Sequence, residues 1–460
     1  MTCIFQEYFR CATDAAHFEL KSDLSGRAGY FQFGPGITCY GRLASGYLAK
    51  QPDAELYDSS GDVVQNGVGV RLPFDPSEVV NNFYYERYMN GSRIPTGMQR
   101  MIRDAYYFVR PSLPLPIRKH LQKFHLNGWR KLTFPHWPVD TTVDQLMEQL
   151  MTLAVQRQGG EIPFIWFWPD GKDACAVITH DVETQRGVEL SNWLMDVNES
   201  YGIPASFQVI PEQRYTVSES YLESIRRRGF EVNVQDLNHD GNLYRDRRNF
   251  EARVSKINAY GKHYGAAGFR AGVLYRNQEW FDLLDFEYDT SVPNVAHLDP
   301  QHGGCCTVMP YFVGHLVELP VTTTQDYSLF HIMNDYSLAL WKQQFNIILS
   351  RHGLINVITH PDYITDSVKQ WTYTQLIELV DQIRRERNVW VALPRDVSTW
   401  WRQRSQMRLV RNGGCWQVEG LGSERAVVAY AQLGDNGLQY RLPGPSLTDE
   451  CLADLVKRTA

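Results

Sequence analysis

The sequence predicts an α/β protein centred on a distorted barrel of seven or eight parallel strands. Between residues 174 and about 400, apolar runs of strand length alternate with amphipathic runs of helix length. A repeated strand-then-helix order is typical of a parallel sheet, because each crossover needs a helix to return the chain. The apolar run 174–180 then stops abruptly at His180, Asp181 and Glu183. Such a change is typical of a strand that presents ionisable groups at the carboxyl edge of a barrel.

The individual elements of this barrel can be placed from hydrophobic periodicity. The predicted strands are 174–180, 206–210, 231–237, 268–272, 286–291, 316–322, 355–359 and 389–393. The predicted helices are 189–201, 218–228, 250–264, 334–350 and 373–387. A further amphipathic helix is predicted at 141–158, before a lead-in strand at 162–168.

The flanking regions have a different pattern from the barrel. Residues 1–160 mix short Gly- and aromatic-rich strands with helices, including predicted helices at 79–89 and 97–109. After 405, short alternating runs at 415–419, 426–431 and 438–442 are separated by turns, as in antiparallel strands. We therefore predict an N-terminal mixed α/β extension over 1–160, the barrel over 161–405 and a small antiparallel β module over 406–460.

Composition limits the classes of function. The 460-residue chain has a net charge of −6, which does not indicate a nucleic-acid binder. None of its eight cysteines forms a Cys-x-x-Cys pair, so we expect no disulfide framework and a reducing compartment. The first 21 residues lack a signal-peptide core, and no apolar window is long enough to span a membrane. We expect a cytoplasmic protein; its oligomeric state cannot be predicted.

Residues 103–137 form a basic, aromatic segment. They contain seven Lys or Arg residues, one acidic residue and several aromatic residues. This composition fits a peripheral contact with an anionic membrane surface, or with a phosphorylated sugar carrier. A solvated helical face with aromatic residues in the core fits the same composition better.

Ionisable groups recur at the predicted strand ends. Besides His180, Asp181 and Glu183, the strands deliver in order Glu212, Gln235, Asp236, His239, Asp240, Arg270, Asp289, His360 and Asp362. Because the carboxyl ends of parallel strands meet at one edge, these groups are expected to form one site. Carboxylates, an arginine and histidines together suit metal-assisted or acid–base hydrolysis.

Five segments in this order resemble the polysaccharide deacetylase family (carbohydrate esterase family 4, with NodB homology). They are Thr179-His180-Asp181-Val182-Glu183, Gln235-Asp236-Leu237-Asn238-His239-Asp240-Gly241, Gly268-Phe269-Arg270-Ala271-Gly272, Glu287-Tyr288-Asp289-Thr290-Ser291 and Thr359-His360-Pro361-Asp362. The likeness covers about half of the chain, and it is closest to the variant whose first motif reads His-Asp-Val-Asp. It implies a divalent metal and hydrolysis of an N-acetyl group on a sugar or polysaccharide precursor, a carbon–nitrogen bond that is not a peptide bond.

The resemblance also implies roles for individual residues. Asp181 would be the general base, Arg270 would hold it by a charge-assisted hydrogen bond, and His360 would be the general acid. Glu183 and His239 would be metal ligands, with Gln235 at the position of a second histidine. Asp362 and Glu212 are expected near the substrate, although a bland structural role suits Glu212 at least as well. His180 is more readily a hydrogen-bonded supporting group than a ligand, and Asp289 a structural one.

The sequence departs from the family pattern at two ligand positions. Glu183 stands where Asp is usual, and Gln235 stands where a metal-binding His is expected. An amide oxygen is a neutral and weak ligand, and a poor one for zinc. The expected ion, Zn²⁺, Mn²⁺, Co²⁺ or Mg²⁺, therefore stays open. The alternative is a catalytically degenerate barrel that binds carbohydrate or an assembly partner, and a third reading moves hydrolysis to a non-sugar amide.

Overall fold

The computed structural model describes residues 4–12, 16–65, 69–91, 126 and 128–442. The chain folds into two compact units. One unit takes residues from 1–84, 142–172 and 399–460, and the other takes residues from 85–141 and 173–398. This division differs from the three predicted segments, because 161–172 and 399–405 group with the flanking regions rather than with the barrel.

The strands and helices are numbered in chain order. The strands are β1 Phe18–Leu20, β2 Gly29–Gln32, β3 Thr38–Gly41, β4 Val64–Gln65, β5 Val70–Leu72, β6 Ile162–Ile165, β7 Ala174–Val182, β8 Ser206–Val209, β9 Glu231–Gln235, β10 Gly268–Arg270, β11 Tyr288–Asp289, β12 Tyr311–Val313, β13 Leu316–Glu318, β14 Leu354–Thr359, β15 Val389–Val391, β16 Arg408–Asn412, β17 Cys415–Glu419, β18 Val428–Gly434 and β19 Gly437–Arg441. The α-helices are α1 Ile4–Phe9, α2 Pro76–Tyr84, α3 Thr142–Gln158, α4 Gln185–Tyr201, α5 Glu219–Arg227, α6 Arg247–Tyr264, α7 Ala339–Leu349, α8 Ser367–Glu386 and α9 Pro394–Gln406.

The predicted parallel barrel is confirmed as one curled sheet in the second unit. Its strands follow the order β12-β13-β11-β10-β9-β8-β7-β14, and β15 also pairs with β7. All of these pairings are parallel except β12 with β13. On one side of β7 lies β14, and on the other side β15 and β8 pair with its first and last residues respectively.

Strand β7 is the longest strand of this sheet and all nine of its residues are buried. Its run of Ala, Cys, Val and Ile is typical of a parallel strand that is covered on both faces. The strand extends two residues beyond the predicted end, to Val182. His180 and Asp181 therefore lie within the ladder, where the main chain fixes their direction.

A seam between β13 and β14 is held by side chains. Thr322 donates its hydroxyl to the Leu354 carbonyl at 2.7 Å and accepts from the Asn356 amide at 2.8 Å. Thr323 donates to the Asn356 carbonyl at 2.9 Å. These contacts stand where β13 and β14 have no main-chain ladder between them.

The crossover helices begin and end at capping residues. Thr184, Ser218, Asp246 and Asp366 each accept a hydrogen bond from a backbone amide at the start of α4, α5, α6 and α8 respectively. Such caps satisfy amides that the helix itself leaves unpaired. All five predicted barrel helices are observed. Three of them, α4, α6 and α8, begin three to six residues before the predicted start, because their capping residues precede the apolar pattern.

The first unit joins distant parts of the chain. The predicted C-terminal strands are observed as β17, β18 and β19, and β18 pairs antiparallel with β6 as well as with β19. Buried Arg404 on α9 donates to the carbonyls of Trp166, Ile165 and Tyr8. The last turns of α9 and the strand before the barrel are therefore parts of one core.

Two expectations concern cysteines and membranes. Five described cysteines are free, whereas Cys415 is disulfide-bonded, which the sequence analysis did not predict. Within the described ranges, every helix is too short or too polar to cross a membrane. The predicted helix 97–109, and residues 103–125 and 127 of the basic segment, lie outside the described residues.

Candidate active site

Asp181, near the end of β7, is held by two donors from other strands of the same sheet. The Nη1 of Arg270, on β10, donates to Asp181 Oδ1 at 2.7 Å. The amide Nε2 of Gln235, on β9, donates to Asp181 Oδ2 at 3.1 Å. The structure thus brings together the predicted base and its predicted arginine. Both carboxylate oxygens are engaged, so the group is fixed in one orientation.

Arg270 is itself fully buried and locked in place. It donates to the Thr290 carbonyl and hydroxyl at 3.0 and 3.1 Å, and to the Thr179 hydroxyl at 3.0 Å. Burial raises the pKa of Asp181 above its ordinary value, and the positive charge of Arg270 opposes part of that rise. A buried carboxylate with a raised pKa is a stronger proton acceptor than an exposed one.

Glu183, just after β7, faces the loop that follows β9. Its Oε1 lies 3.0 Å from His239 Nε2, close enough for an ion pair although the angle does not meet that of a hydrogen bond. Tyr363 donates to Glu183 Oε2 at 3.3 Å. Burial alone would raise the pKa of Glu183, but the contact with His239 and the positive charges of His360 and Arg214 outweigh it and lower the pKa.

His239 is placed by an arginine and by a tight loop. Nη2 of Arg214 donates to the His239 ring nitrogen Nδ1 at 3.1 Å and to its carbonyl at 3.0 Å. His239 and Asp236 both adopt left-handed backbone conformations with φ of 53°. A Cβ at Gly272 would lie 2.6 Å from the Asp236 carboxylate and 3.0 Å from the His239 ring. The glycine is therefore needed for this approach of the loop to β10.

His360 follows β14 and is oriented by Asp326. Asp326 Oδ1 lies 2.6 Å from His360 Nδ1, and Oδ2 accepts from the His360 backbone amide at 2.7 Å. The other ring nitrogen, Nε2, lies 3.8 Å from Glu183 Oε1. Burial would lower the pKa of His360, but the charge and hydrogen bond of Asp326 raise it to about 10. The imidazole is therefore protonated at neutral pH.

His180 points away from these groups, as a supporting residue. Its Nδ1 lies 2.8 Å from the Thr359 hydroxyl and its Nε2 lies 3.2 Å from the Tyr373 hydroxyl. Burial lowers the pKa of His180 to about 3, so the ring is neutral. It is the hydrogen-bonded group that the sequence favoured.

Neither residue expected to contact substrate is free in this structure. Asp362 accepts from the Glu183 amide at 2.9 Å and from the Thr184 hydroxyl, and it packs closely on Gly187. Glu212 Oε1 lies 3.5 Å from Lys256 Nζ and 3.4 Å from the Tyr260 hydroxyl, both on α6. Asp362 thus shapes the loop that carries Glu183, and Glu212 is directed to a helix.

Asp289 lies on β11 beside Glu318 on β13, and the two are paired in register. Asp289 also accepts from the Ser291 amide and hydroxyl, at 2.9 and 2.8 Å. Burial raises the pKa of both carboxyls, and that of Glu318 most strongly, with the neighbouring Asp289 charge adding to it. The two carboxyls thus form a buried pair within the sheet, in keeping with the structural role expected for Asp289.

The expected metal ligands do not fit a divalent ion as they stand. Gln235 turns its amide group to donate to the base Asp181, which also accepts from Arg270. Arg214 donates to the ring of His239. Among the described residues, no three His, Cys, Asp or Glu side chains converge in a way that could hold a metal ion. The chemistry of the site is therefore derived from its own side chains.

Three site residues were missed by the sequence analysis: Asp326, Arg214 and Tyr363. Asp326 follows β13, a strand whose polar continuation, Thr322-Thr323-Thr324-Gln325-Asp326, gave the same signal as the strand ends that were considered. Arg214 lies two residues after Glu212 in the loop that follows β8. No local pattern distinguishes it from the many arginines on helix surfaces.

The chain was compared with known proteins. No protein-family model and no curated protein matches it. A Mycobacterium smegmatis protein assigned as a polysaccharide deacetylase is 20% identical, with a TM-score of 0.41 over 52% of this chain and 93% of that one. An allantoinase is 12% identical, with a TM-score of 0.39 over 51% of this chain and 92% of that one.

A family 4 carbohydrate esterase from Streptomyces lividans, solved with acetate, is also similar. It is 12% identical, with a TM-score of 0.32 over 48% of this chain and 93% of that one. Polysaccharide deacetylases, the family predicted from the five motifs, are thus among the solved structures found.

Proposed function

We propose that this protein hydrolyses the amide bond of an N-acetylated sugar or polysaccharide precursor by general acid–base catalysis. The observation that carries the proposal is a proton donor and a proton acceptor at the ends of paired strands. His360 follows β14 and Asp181 lies on β7, and Thr359 and His180 are register partners. Asp326 keeps His360 protonated, and Arg270 with Gln235 keeps Asp181 aimed.

The proposed reaction follows from these states. Asp181 accepts a proton from water as the water oxygen bonds to the acetyl carbon. His360 gives its Nε2 proton to the nitrogen as the carbon–nitrogen bond breaks, which releases acetic acid and an amine. Each such proton transfer contributes about 10²- to 10⁴-fold to the rate. The neighbouring Arg214, which contacts His239, supplies positive charge near Glu183, where the developing oxyanion needs stabilisation.

The direct test is acetate release from N-acetylated oligosaccharides by the purified protein. We expect Asp181→Asn and His360→Ala each to lower the rate by about 10²-fold or more. Asp196→Asn and His263→Ala, which alter exposed residues of α4 and α6, serve as matched controls and should retain the rate. Full activity in the first two variants would contradict the assigned roles.

The binding alternative keeps one observation in its favour, which is the amide of Gln235 at a position expected to bind metal. It predicts that the protein binds glycans and releases no acetate from any of them. Assaying non-sugar amides beside the sugars tests the third hypothesis, in which the protein hydrolyses a different carbon–nitrogen bond. Release of an amine from such an amide, with none from sugars, would show that the substrate is a non-sugar amide. The roles of His360 as proton donor and Asp181 as proton acceptor would stay the same.

A further inference from the structure

We infer that Gln235 and Arg214 make this a site that works without a divalent ion, with both residues acting as positioning groups for Asp181 and His239. The claim that the site catalyses hydrolysis rests on the proposed function. The claim that it binds no divalent ion rests on side-chain contacts alone. The relevant cluster is Asp181, Glu183, Gln235 and His239, with the two arginines that contact it, Arg214 and Arg270.

The first step of the argument concerns the direction of the Gln235 amide. Its nitrogen lies 3.1 Å from Asp181 Oδ2. The reverse orientation would place the amide oxygen against a carboxylate oxygen, with no proton between them, so the nitrogen must be the atom that faces Asp181. Gln235 therefore acts here as a donor to the base. A histidine ligand at this position would instead direct a lone pair to a metal.

The second step concerns the tautomer of His239. A guanidinium has only donors, so His239 Nδ1 must accept from Arg214 Nη2 across their 3.1 Å contact. A ring that accepts at Nδ1 carries its hydrogen on Nε2, and that nitrogen lies 3.0 Å from Glu183 Oε1. The nitrogen that faces the carboxylates thus presents a hydrogen rather than a lone pair. A metal needs the lone pair.

The third step concerns charge. Asp181 is paired with Arg270 at 2.7 Å, and the His239 ring that contacts Glu183 is in turn contacted by Arg214. The base Asp181 and the expected ligand Glu183 are therefore already accompanied by two fixed guanidinium charges. A divalent ion placed among them would be repelled by arginines that cannot be deprotonated.

The same arrangement leaves one acceptor for a ligand. Gln235 Oε1 is buried and has no hydrogen-bond partner among the described residues. A buried unpaired acceptor costs about 1–3 kcal/mol, so a donor is expected to occupy it in the working complex. The attacking water or the N–H of the substrate amide supplies such a donor. Gln235 would then connect the base to the reacting group.

The experiment measures metal binding and activity separately. Protein dialysed against EDTA is titrated with Co²⁺, Zn²⁺ and Mn²⁺ by calorimetry, and Co²⁺ coordination is followed by its visible absorption. We expect no stoichiometric binding by the native chain, no Co²⁺ band, and acetate release that EDTA leaves unchanged. The double variant with Gln235→His and Arg214→Met should bind Co²⁺ at least about tenfold more tightly than the weakest binding that the titration of the native chain can detect. The reason is that it adds one imidazole and releases the His239 ring from Arg214.

Controls and the opposite result are well defined. Gln156→His adds an imidazole on the exposed face of α3 and should not change Co²⁺ binding. The inference is overturned if the native chain binds one Co²⁺ with a visible band that Glu183→Gln removes, or if acetate release requires an added metal. If the double variant does not fold, the titration of the native chain decides alone. A protein that binds no metal and releases no acetate would refute the proposed function and leave the metal-free site intact.

Discussion

Asp326 makes two bonds to one residue, because one of its oxygens contacts the His360 ring and the other accepts from the His360 amide. The carboxylate thereby fixes both the rotamer of His360 and the position of its proton. The ring nitrogen that remains faces Glu183. Asp326 thus directs the Nε2 of His360 toward Glu183, whose Oε1 lies 3.8 Å away.

Replacing Asp326 by Asn should lower the rate of hydrolysis by about 10²- to 10⁴-fold. The amide keeps the size of the side chain but removes the charge that raises the pKa of His360 to about 10. Because the acid must be protonated, the loss of activity at high pH should then begin at a lower pH than in the native protein. The measurement is kcat against pH.

Asp196→Asn is the control for this experiment, since Asp196 is an exposed residue of α4 that pairs with Arg228. If Asp326→Asn lowers the rate but leaves the high-pH limb in place, Asp326 orients His360 without setting its protonation.

At this scale the sequence was a good guide to which residue types meet, and a poor guide to their partners. Asp181, Arg270 and His360 were predicted because each stands at a strand end. Arg214 and Asp326 come from loops, and loop conformation depends on contacts distant in sequence. The direction of the Gln235 amide depends on Asp181, which lies 54 positions away.

At the scale of the element, strand β9 has a buried polar residue at each end. Its last residue, Gln235, serves the site, and its first residue, Glu231, is buried at the opposite edge of the sheet. Glu231 Oε1 accepts from the Tyr288 hydroxyl at 2.9 Å, and Oε2 accepts from the Arg395 amide at 3.2 Å. Burial raises the pKa of Glu231 to about 7, although these donors oppose the rise.

Glu231→Gln should change how the free energy of unfolding depends on pH. The folded pKa of about 7 exceeds the ordinary value of 4.5, so the native protein loses stability as pH rises between these values. The glutamine of the variant cannot ionise. Between these two pH values, the free energy of unfolding of the variant should therefore rise by about 3 kcal/mol relative to that of the native protein. Urea unfolding at pH values on either side of it makes the comparison.

The exposed Glu223 on α5 gives the matched control, Glu223→Gln. A difference between Glu231→Gln and the native protein that does not change with pH would show that Glu231 ionises as freely in the folded protein as in the unfolded chain.

The elements themselves were the most predictable part of the fold. Each of the eight predicted barrel strands is observed, since buried parallel strands are continuous apolar runs that stand out in the sequence. Their carboxyl ends were less accurate: the strand predicted over 316–322 stops at Glu318. There the chain leaves the ladder and continues as the threonines of the seam. A change from main-chain to side-chain bonding leaves no trace in hydrophobic periodicity.

At the scale of the whole molecule, the segment before residue 142 belongs partly to the barrel unit. Glu86 forms a buried ion pair with Arg276 through Oε2 and Nε at 2.7 Å and through a second contact from Nη2. Glu86 also accepts from the Gly304 amide at 2.6 Å and from Gln278 at 3.2 Å. This carboxylate joins residues far apart in the sequence into one unit.

Glu86→Ala should therefore lower the free energy of unfolding by about 3–5 kcal/mol, because it leaves the guanidinium of Arg276 buried without its counter-charge. Thermal or urea unfolding of the full chain measures this loss.

Glu279→Ala breaks the neighbouring pair with Arg87, in which both side chains are about half exposed, and should cost less than about 1 kcal/mol. Equal losses in the two variants would contradict the stabilising role given to the buried pair.

The grouping of 399–405 with the N-terminal region was not predictable from the sequence. Helix α9 follows the last barrel strand without a break in pattern, so a boundary after 405 was the natural reading. The position of Arg404 decides otherwise, because its guanidinium binds carbonyls of residues 8 and 165–166. Contacts of this kind appear only once the chain has folded.

The side-chain seam between β13 and β14 links the hydrogen bonds that join these two strands to the protonation of His360. Thr322, Thr323 and Asp326 lie on one side of it, and Asn356 and His360 lie on the other. Any local opening that separates the two sides removes Asp326 from His360 at the same moment as the threonine bonds break. Amide exchange at Asn356 and proton loss from His360 are then two readouts of one fluctuation, and a ligand that keeps His360 charged should also slow that exchange.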